Sequence, residues 1–353
     1  MKVNVSLLTA AALMLACACW GPRNTGRSSG SATDAGAGDD SVSSLMGSAP
    51  AIPAATRHFP SVQMPRVYGD DPAAAAEYAV EHYWDGFLNG EGPTTPKSVL
   101  GVLDEEVEQA LANYIALLGE VKEDATPDNL APLKMAQKGV KKFFSKIEER
   151  QLADTSAKTY LRLTEMVSHY LYDPNSPLRD EDLYLPFVEA AAESACTSDD
   201  MRNAYRYEAR QCRTNPFGSK VPDFSYSDIN GHKGSLYGVK ADYTMLFFSN
   251  PGCESCKEII KDVMGRGYIE SMIANRKLAV VNIYIDEEVS KWRDYSHNYP
   301  SCWINGYDYT FSLRDSGKYD IRAIPSLYLL DSQKRVLMKD AITENVLKFL
   351  DKI

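Results

Sequence analysis

The sequence has little that would suit it to nucleic acid, to a metal ion or to crossing a bilayer. Its net charge is −10, and the sign is unevenly spread. Residues 1–69 hold 5 basic against 3 acidic side chains, residues 70–219 hold 15 against 27, and residues 220–353 hold 18 of each. An acidic middle and a neutral end offer no basic face, which argues against a nucleic-acid partner. Histidine is scarce, with 5 in the whole chain. His82 and His169 are far apart in sequence and have no ligand spacing, so no metal site and no other cofactor is expected. The N-terminal apolar run, Val3 to Ala16, is about 14 residues and too short to span a bilayer comfortably. No internal repeat with a clear period is visible. What remains is a globular composition, 44% hydrophobic and 24% charged over 353 residues. That length suits two domains, and the charge step near residue 220 places their junction.

Met1-Lys2 and the apolar run have the form of a signal peptide. The run ends in Met14-Leu15-Ala16-Cys17-Ala18-Cys19. A small residue directly before a Cys at that place resembles a bacterial lipoprotein cleavage site. Residues 1–19 would then be a lipoprotein signal peptide, with Cys17, or else Cys19, as the lipidated residue. An ordinary signal peptide with incidental cysteines is the plainer alternative. Either reading exports the chain to the cell envelope, where disulfides can persist. The lipid anchor would hold it on a membrane, facing the periplasm. Residues 20–70 are rich in Gly, Ser, Ala and Pro, as in Ser28-Ser29-Gly30-Ser31-Ala32, and are expected to be a disordered tether.

Residues 71–215 read as an all-α domain. Leu130, Leu133, Val140, Phe144 and Ile147 recur at helical spacing. Thr126-Pro127-Asp128 looks like the start of that helix, with a capping hydroxyl and Pro at the first position. Val107, Leu111, Tyr114 and Leu118 form another stripe, expected to close at Gly119. Tyr160, Leu163, Val167 and Tyr170 form a third. Further helices are expected at Ala73–Leu88 and from Asp199 to about Arg213. Asp173-Pro174-Asn175-Ser176-Pro177 breaks the array. Such stripes are more often core than ligand site, and the acidic excess reads as a solvated face.

After Asn215-Pro216-Phe217-Gly218 the pattern changes. Val221-Pro222-Asp223-Phe224 and Gly231-His232 look like an edge strand and a turn. Tyr243–Phe248 and Leu278–Ile285 are near-continuous apolar runs of the buried-strand kind. Ser326–Leu330 and Arg335–Met338 flank Asp331-Ser332-Gln333-Lys334 as a hairpin. A closing helix runs from Thr343 to Ile353. Strand, helix, strand, hairpin and helix is the thioredoxin order. The fold class expected is therefore an α+β two-domain chain, a helical domain followed over residues 220–353 by a thioredoxin fold with a central mixed sheet flanked by helices.

The chemistry lies in Cys253-Glu254-Ser255-Cys256, between a buried strand and a helix. Two cysteines three apart on a first helical turn can close a small disulfide or open to a dithiol. Unpaired N–H groups and the helix dipole favour a thiolate at the first position, and the thiolate is the attacking species. Cys253 is the expected nucleophile, and Cys256, one turn in, the resolving thiol. A lone CxxC also occurs in zinc sites, but no second Cys or His pair follows at zinc spacing. Ile324-Pro325-Ser326 precedes the third strand. It resembles the thioredoxin position where a cis-proline packs against the active disulfide and the backbone before it binds substrate.

Residues 221–353 look like the thioredoxin-like domain of envelope oxidoreductases of the TlpA and ResA type. Residues 70–353 resemble a family of bacterial lipoproteins in which a helical domain of unknown function precedes that fold. Tyr83-Trp84-Asp85, Ser176–Tyr184, Trp303–Asp308 and Ile321–Pro325 carry this resemblance. It implies redox activity for the C-terminal domain, toward disulfides or dithiols of envelope proteins and with a second redox partner. For the helical domain it implies none. A binding or assembly lipoprotein whose helical domain recruits a partner is the alternative.

Departures from the pattern matter. Gly252 stands where thioredoxins commonly have Trp. The strand Tyr243–Phe248 has no acid for proton transfer to Cys256. Ile259 stands where the TlpA type often carries Glu, and Glu258, one residue earlier, reads better as an exposed helical side chain. Glu254 should weakly oppose the Cys253 thiolate and bias the pair toward a reducing role. Cys196 and Cys212, at opposite ends of one helix, are too far apart to pair and are expected buried or free. Cys302 reads as a packed Cys, with a third redox thiol as the alternative. A peroxidase reading fails because Asn250, not Thr or Ser, stands three residues before Cys253.

Overall fold

The computed structural model describes residues 57–68, 71–315 and 317–353. The expected signal peptide, Cys17, Cys19 and most of the expected tether lie outside the described residues. The chain is α+β, with helices first and a mixed sheet after.

The helical part comprises α1 (Pro72–His82), α2 (Asp85–Leu88), a hairpin of β1 (Ser98–Val99) and β2 (Val102–Leu103), α3 (Asp104–Glu123), α4 (Ala131–Ala153), α5 (Thr159–Leu171), α6 (Glu181–Glu193) and α7 (Asp199–Cys212). Asp71 caps α1 by accepting from the amides of Ala73 and Ala74, both at 3.1 Å. The stripes form one core, in which Trp84 stacks on Phe143 at 4.2 Å and Phe144 meets Phe187 edge-on at 5.1 Å. Such pairs each add about 0.5–1.5 kcal/mol beyond their burial.

Several local expectations shift. The helix expected over Ala73–Leu88 breaks after His82, and the break turns Trp84 into the core. Helix α3 runs past Gly119 to Glu123, because Lys122 in its last turn binds Asp180 at 2.7 Å and Asp182 at 2.9 Å. Helix α4 starts at Ala131, not at Thr126. The Thr126 hydroxyl instead receives the Asn129 amide in a tight turn, and the Asn129 side chain receives Ala131 N–H. Residues 57–68, placed in the tether by composition, lie on the helical part. Arg57 donates to the carbonyls of Leu100 and Phe87, each at 2.6 Å, and Phe59 stacks on Phe87. Helix α6 had no counterpart in the sequence reading, because Pro186 sits inside it. Proline removes the donor that the Asp182 carbonyl would receive one turn back. Gln137 Nε2 supplies it instead, at 2.8 Å.

The second part contains β3 (Ser225–Ser227), β4 (Lys233–Ser235), β5 (Tyr243–Phe248), α8 (Glu254–Met264), α9 (Ile269–Ala274), β6 (Leu278–Tyr284), α10 (Val289–Tyr295), β7 (Ile304–Tyr307), α11 (Ser312–Asp315), β8 (Ser326–Leu330), β9 (Val336–Met338) and α12 (Thr343–Leu350). The sheet order is β4-β3-β7-β6-β5-β8-β9. Strands β5, β6 and β7 run parallel, and β8 lies antiparallel to β5. The strand expected at the edge over Val221–Phe224 falls instead at Ser225–Ser227 and is covered on its outer side by β4, and the Asp223 carboxylate is taken up by the amides of Phe224 and Tyr237. Strand β7 had no counterpart in the sequence reading. It needs Gly306 because a Cβ there would lie 2.8 Å from Tyr226 Cδ2.

Alternation along β5 divides two cores. Leu246 and Phe248 join Val281, Ile283 and Tyr328 on one face. Met245 and Phe247 join Cys256, Val280, Leu327 and Leu347 on the other. Among the described residues no helix is long and apolar enough to cross a membrane.

Candidate active site

The buried run of β5 ends at Phe248, and the chain must turn sharply to start α8. Gly252 makes that turn at φ +77°, a conformation that disfavours any side chain. This is the local reason a Trp does not stand there. The Asn250 carbonyl receives Cys253 N–H at 3.2 Å and closes the loop. Buried and half-buried side chains hold it from behind. Ser249 donates to Asn282 Oδ1 at 2.5 Å, Asn282 Nδ2 donates to Asn305 Oδ1 at 3.0 Å, and Asn250 Nδ2 donates to Asp286 at 2.9 Å.

Cys253 is the N-cap residue of α8, and its Sγ accepts the Cys256 amide at 3.1 Å. Cys253 is half-buried, while Cys256 is only 2% exposed. The two are joined as a disulfide with Cα atoms 5.2 Å apart. Electrostatically the open helix end favours negative charge on Cys253, the more accessible sulfur. Glu254 beside it is paired with Lys257 at 2.6 Å, which offsets the opposition expected from its charge. Both groups are exposed, so solvent screens the pair and it contributes little to stability.

The Ile324–Pro325 peptide is cis. Ser326, next in sequence, pairs with Phe248 across β5 and β8. The segment before β8 and the loop after β5 therefore leave the sheet at the same end. Ile324 and Cys253 pack against the same core cluster, which also holds Cys256, Phe247 and Trp303. Trp303 lies edge-on to Phe247 at 6.2 Å. Reading the sequence alone gave Trp303 no place in the site. It stands just before a strand that was itself missed.

The other sequence candidates separate from this group. Glu258 is exposed, and β5 carries no acid. Cys302 is exposed rather than packed, because β7 begins two residues on and leaves it on a rim. It faces a groove lined by Tyr226, Arg276, Leu278 and Ile304, a set that contains neither Cys253 nor Cys256. Desolvation, with Glu270 adding, pushes its thiol up. Cys196 and Cys212 are free, the first just before α7 and the second its last residue, and burial raises both thiols. Among the described residues no group of three or more His, Cys, Asp or Glu could hold a metal ion. His82 is held between Asp85 at 2.7 Å and Lys142 at 3.1 Å.

A family model described as a domain of unknown function, DUF5106, matches residues 29–215. Among solved structures, a thioredoxin-like protein from Bacteroides caccae is 34% identical with a TM-score of 0.68, covering 84% of this chain and 99% of that one. The C-terminal domain of an uncharacterized protein from Bacteroides fragilis is 41% identical over 39% of this chain and 99% of that one, with a TM-score of 0.38. A domain of a possible thiol-disulfide isomerase from Cytophaga hutchinsonii is 26% identical over 38% of this chain and 91% of that one, with a TM-score of 0.32. No curated protein matches. The likeness to the Bacteroides caccae protein runs through both parts of the chain and identifies the fold as thioredoxin-like.

Proposed function

The chain belongs to the DUF5106 family, and we propose that its sheet part is a thiol–disulfide oxidoreductase acting on proteins of the cell envelope. The observation that carries this is the asymmetry of the cysteine pair. One sulfur sits half-exposed at a helix N-terminus with an amide aimed at it, and the other is buried one turn inside. That arrangement separates an attacking thiolate from a protected resolving thiol.

In the reducing direction the Cys253 thiolate attacks one sulfur of a substrate disulfide. The substrate S–S bond breaks, a mixed disulfide forms, and the departing thiolate takes a proton from solvent. Cys256 then gives its proton to solvent and attacks Cys253 Sγ. The second substrate sulfur leaves as thiolate and is protonated. Two electrons have passed to the substrate, and the 253–256 disulfide remains. The same steps reversed oxidise a dithiol, and a second redox partner restores the starting form. Ile324, before the cis-proline, presents its backbone to the substrate chain. Lipidation at Cys17 or Cys19 anchors the protein to a membrane on the periplasmic side.

Trapping in cells tests the reading. Cys256→Ser is expected to accumulate mixed disulfides with envelope proteins on non-reducing gels, and Cys253→Ser to abolish both trapping and exchange. A double Cys253→Ser, Cys256→Ser replacement that leaves the phenotype of the wild type intact would sink the proposal and leave the helical part as the functional half.

A further inference from the structure

The segment Lys318–Pro325, which leads into the cis-proline, is fastened to the helical part at Lys318, Asp320 and Arg322. Asn215 Nδ2 donates to the Lys318 carbonyl at 2.8 Å, and Gln211 Nε2 donates to Asp320 at 2.8 Å. Arg322 holds Glu181 of α6 at 2.9 Å and Asp340 at 2.8 Å, and donates to the Tyr172 carbonyl at 2.5 Å while lying over the Tyr172 ring. Lys339, beside Asp340, holds the other Glu181 oxygen at 2.6 Å and donates to the carbonyls of Gln211 and Thr214. Arg179 donates to the Asp340 carbonyl at 2.9 Å. Asp340 in turn lies 3.5 Å from the hydroxyl of Ser326, the residue after the cis-proline.

Glu181, Asp320 and Asp340 are balanced by Arg179, Arg322 and Lys339, and the Glu181 and Lys339 side chains are 5% and 3% exposed. Burying charges in this way costs desolvation that attraction barely recovers, so such networks contribute more to fixing geometry than to stability. The geometry fixed here ends at an open backbone. Among the described residues, no backbone hydrogen bond engages Ala323 or Ile324. Ala323, Ile324 and Pro325 form a bend just before β8, and unpaired backbone groups beside a reactive centre are free to hydrogen-bond a substrate peptide.

We infer that the helical part positions the peptide-binding backbone of the redox site, with Glu181 as the positioning residue acting through Arg322 on Ala323-Ile324-Pro325. This rests on the redox reading above and deepens it. The substrate class becomes a disulfide carried in an extended peptide, and the helical part belongs to the recognition machinery.

The test uses the full mature chain and two oxidants, a small aromatic disulfide that needs no backbone pairing and a disulfide-bridged extended peptide. A displacement of about 1 Å at a reacting geometry can cost on the order of a hundredfold, so a loosened binding strand should raise KM for the peptide about tenfold. Glu181→Gln, which keeps shape and removes charge, is expected to show that rise. Its kcat, its rate with the aromatic disulfide and the Cys253–Cys256 reduction potential should stay within about twofold, or its equivalent in potential. Arg322→Lys should move the same way and serves if Glu181→Gln does not fold. Equal loss with both oxidants, or unchanged KM for the peptide in both variants, overturns the inference. A wild-type chain that exchanges with neither oxidant overturns the redox reading, and this inference falls with it.

Discussion

Pro186 inside α6 leads to a quantitative expectation. The carbonyl of Asp182, in a residue 9% exposed, has no helical donor because residue 186 lacks an N–H. Gln137 Nε2 fills that role at 2.8 Å. Gln137→Leu keeps similar volume but strands the carbonyl, and an unsatisfied buried acceptor costs about 1–3 kcal/mol. Pro186→Ala restores an N–H one turn along. In the Pro186→Ala background the same Gln137→Leu change should therefore cost less than about 0.5 kcal/mol, giving a coupling of about 1–2 kcal/mol. Urea unfolding of the four proteins, followed by far-UV circular dichroism, reads these differences as midpoint shifts at constant slope. Additive effects within about 0.5 kcal/mol would refute the reasoning. The stake is functional, since α6 begins with Glu181.

Two further outcomes follow from single sites. Gly252→Ala should destabilise the folded chain by about 1–2 kcal/mol, entirely through its φ of +77°, because a Cβ there meets nothing within 4 Å. Urea midpoints check this, and a cost near zero would mean the turn can relax. Burial alone would raise the Asp182 carboxyl, but Lys122 and the Phe217 amide outweigh it and hold the group below its ordinary value. A depressed carboxyl adds stability above its unfolded pKa and loses it as pH falls through the folded one. Stability should therefore fall below about pH 4, and Asp182→Asn should flatten that acid limb in urea midpoints measured against pH. An unchanged limb would show that Asp182 is not among the groups responsible.

The sequence announced features that depend on local pattern. The buried runs of β5 and β6, the cysteines at the start of α8 and the stripes of α3, α4 and α5 were all legible in apolar periodicity and spacing. What stayed hidden depended on distant partners. Helix α6 hides behind Pro186, whose fault is repaired by Gln137 from another helix. Strand β7 hides behind Gly306, which is there to admit Tyr226. Gly119 looked like a helix end, yet Lys122 carries α3 onward by pairing with carboxylates on either side of the start of α6. The same holds at the site. Cys253, Cys256 and Ile324-Pro325 stand out in sequence, whereas Trp303 acquires meaning only in the core under the cysteines, and Arg322 and Glu181 only where the two parts meet.

The central claim is that Cys253 and Cys256 form a working redox couple. It is tested most directly by equilibrating the mature chain, with Cys196, Cys212 and Cys302 replaced by Ser, against glutathione buffers and scoring the fraction oxidised. The account expects one reversible two-electron transition, between about −270 mV for a reductant and about −120 mV for a disulfide donor, and its loss in Cys253→Ser. A pair that shows no reversible transition, or that stays closed at every poise, would contradict it.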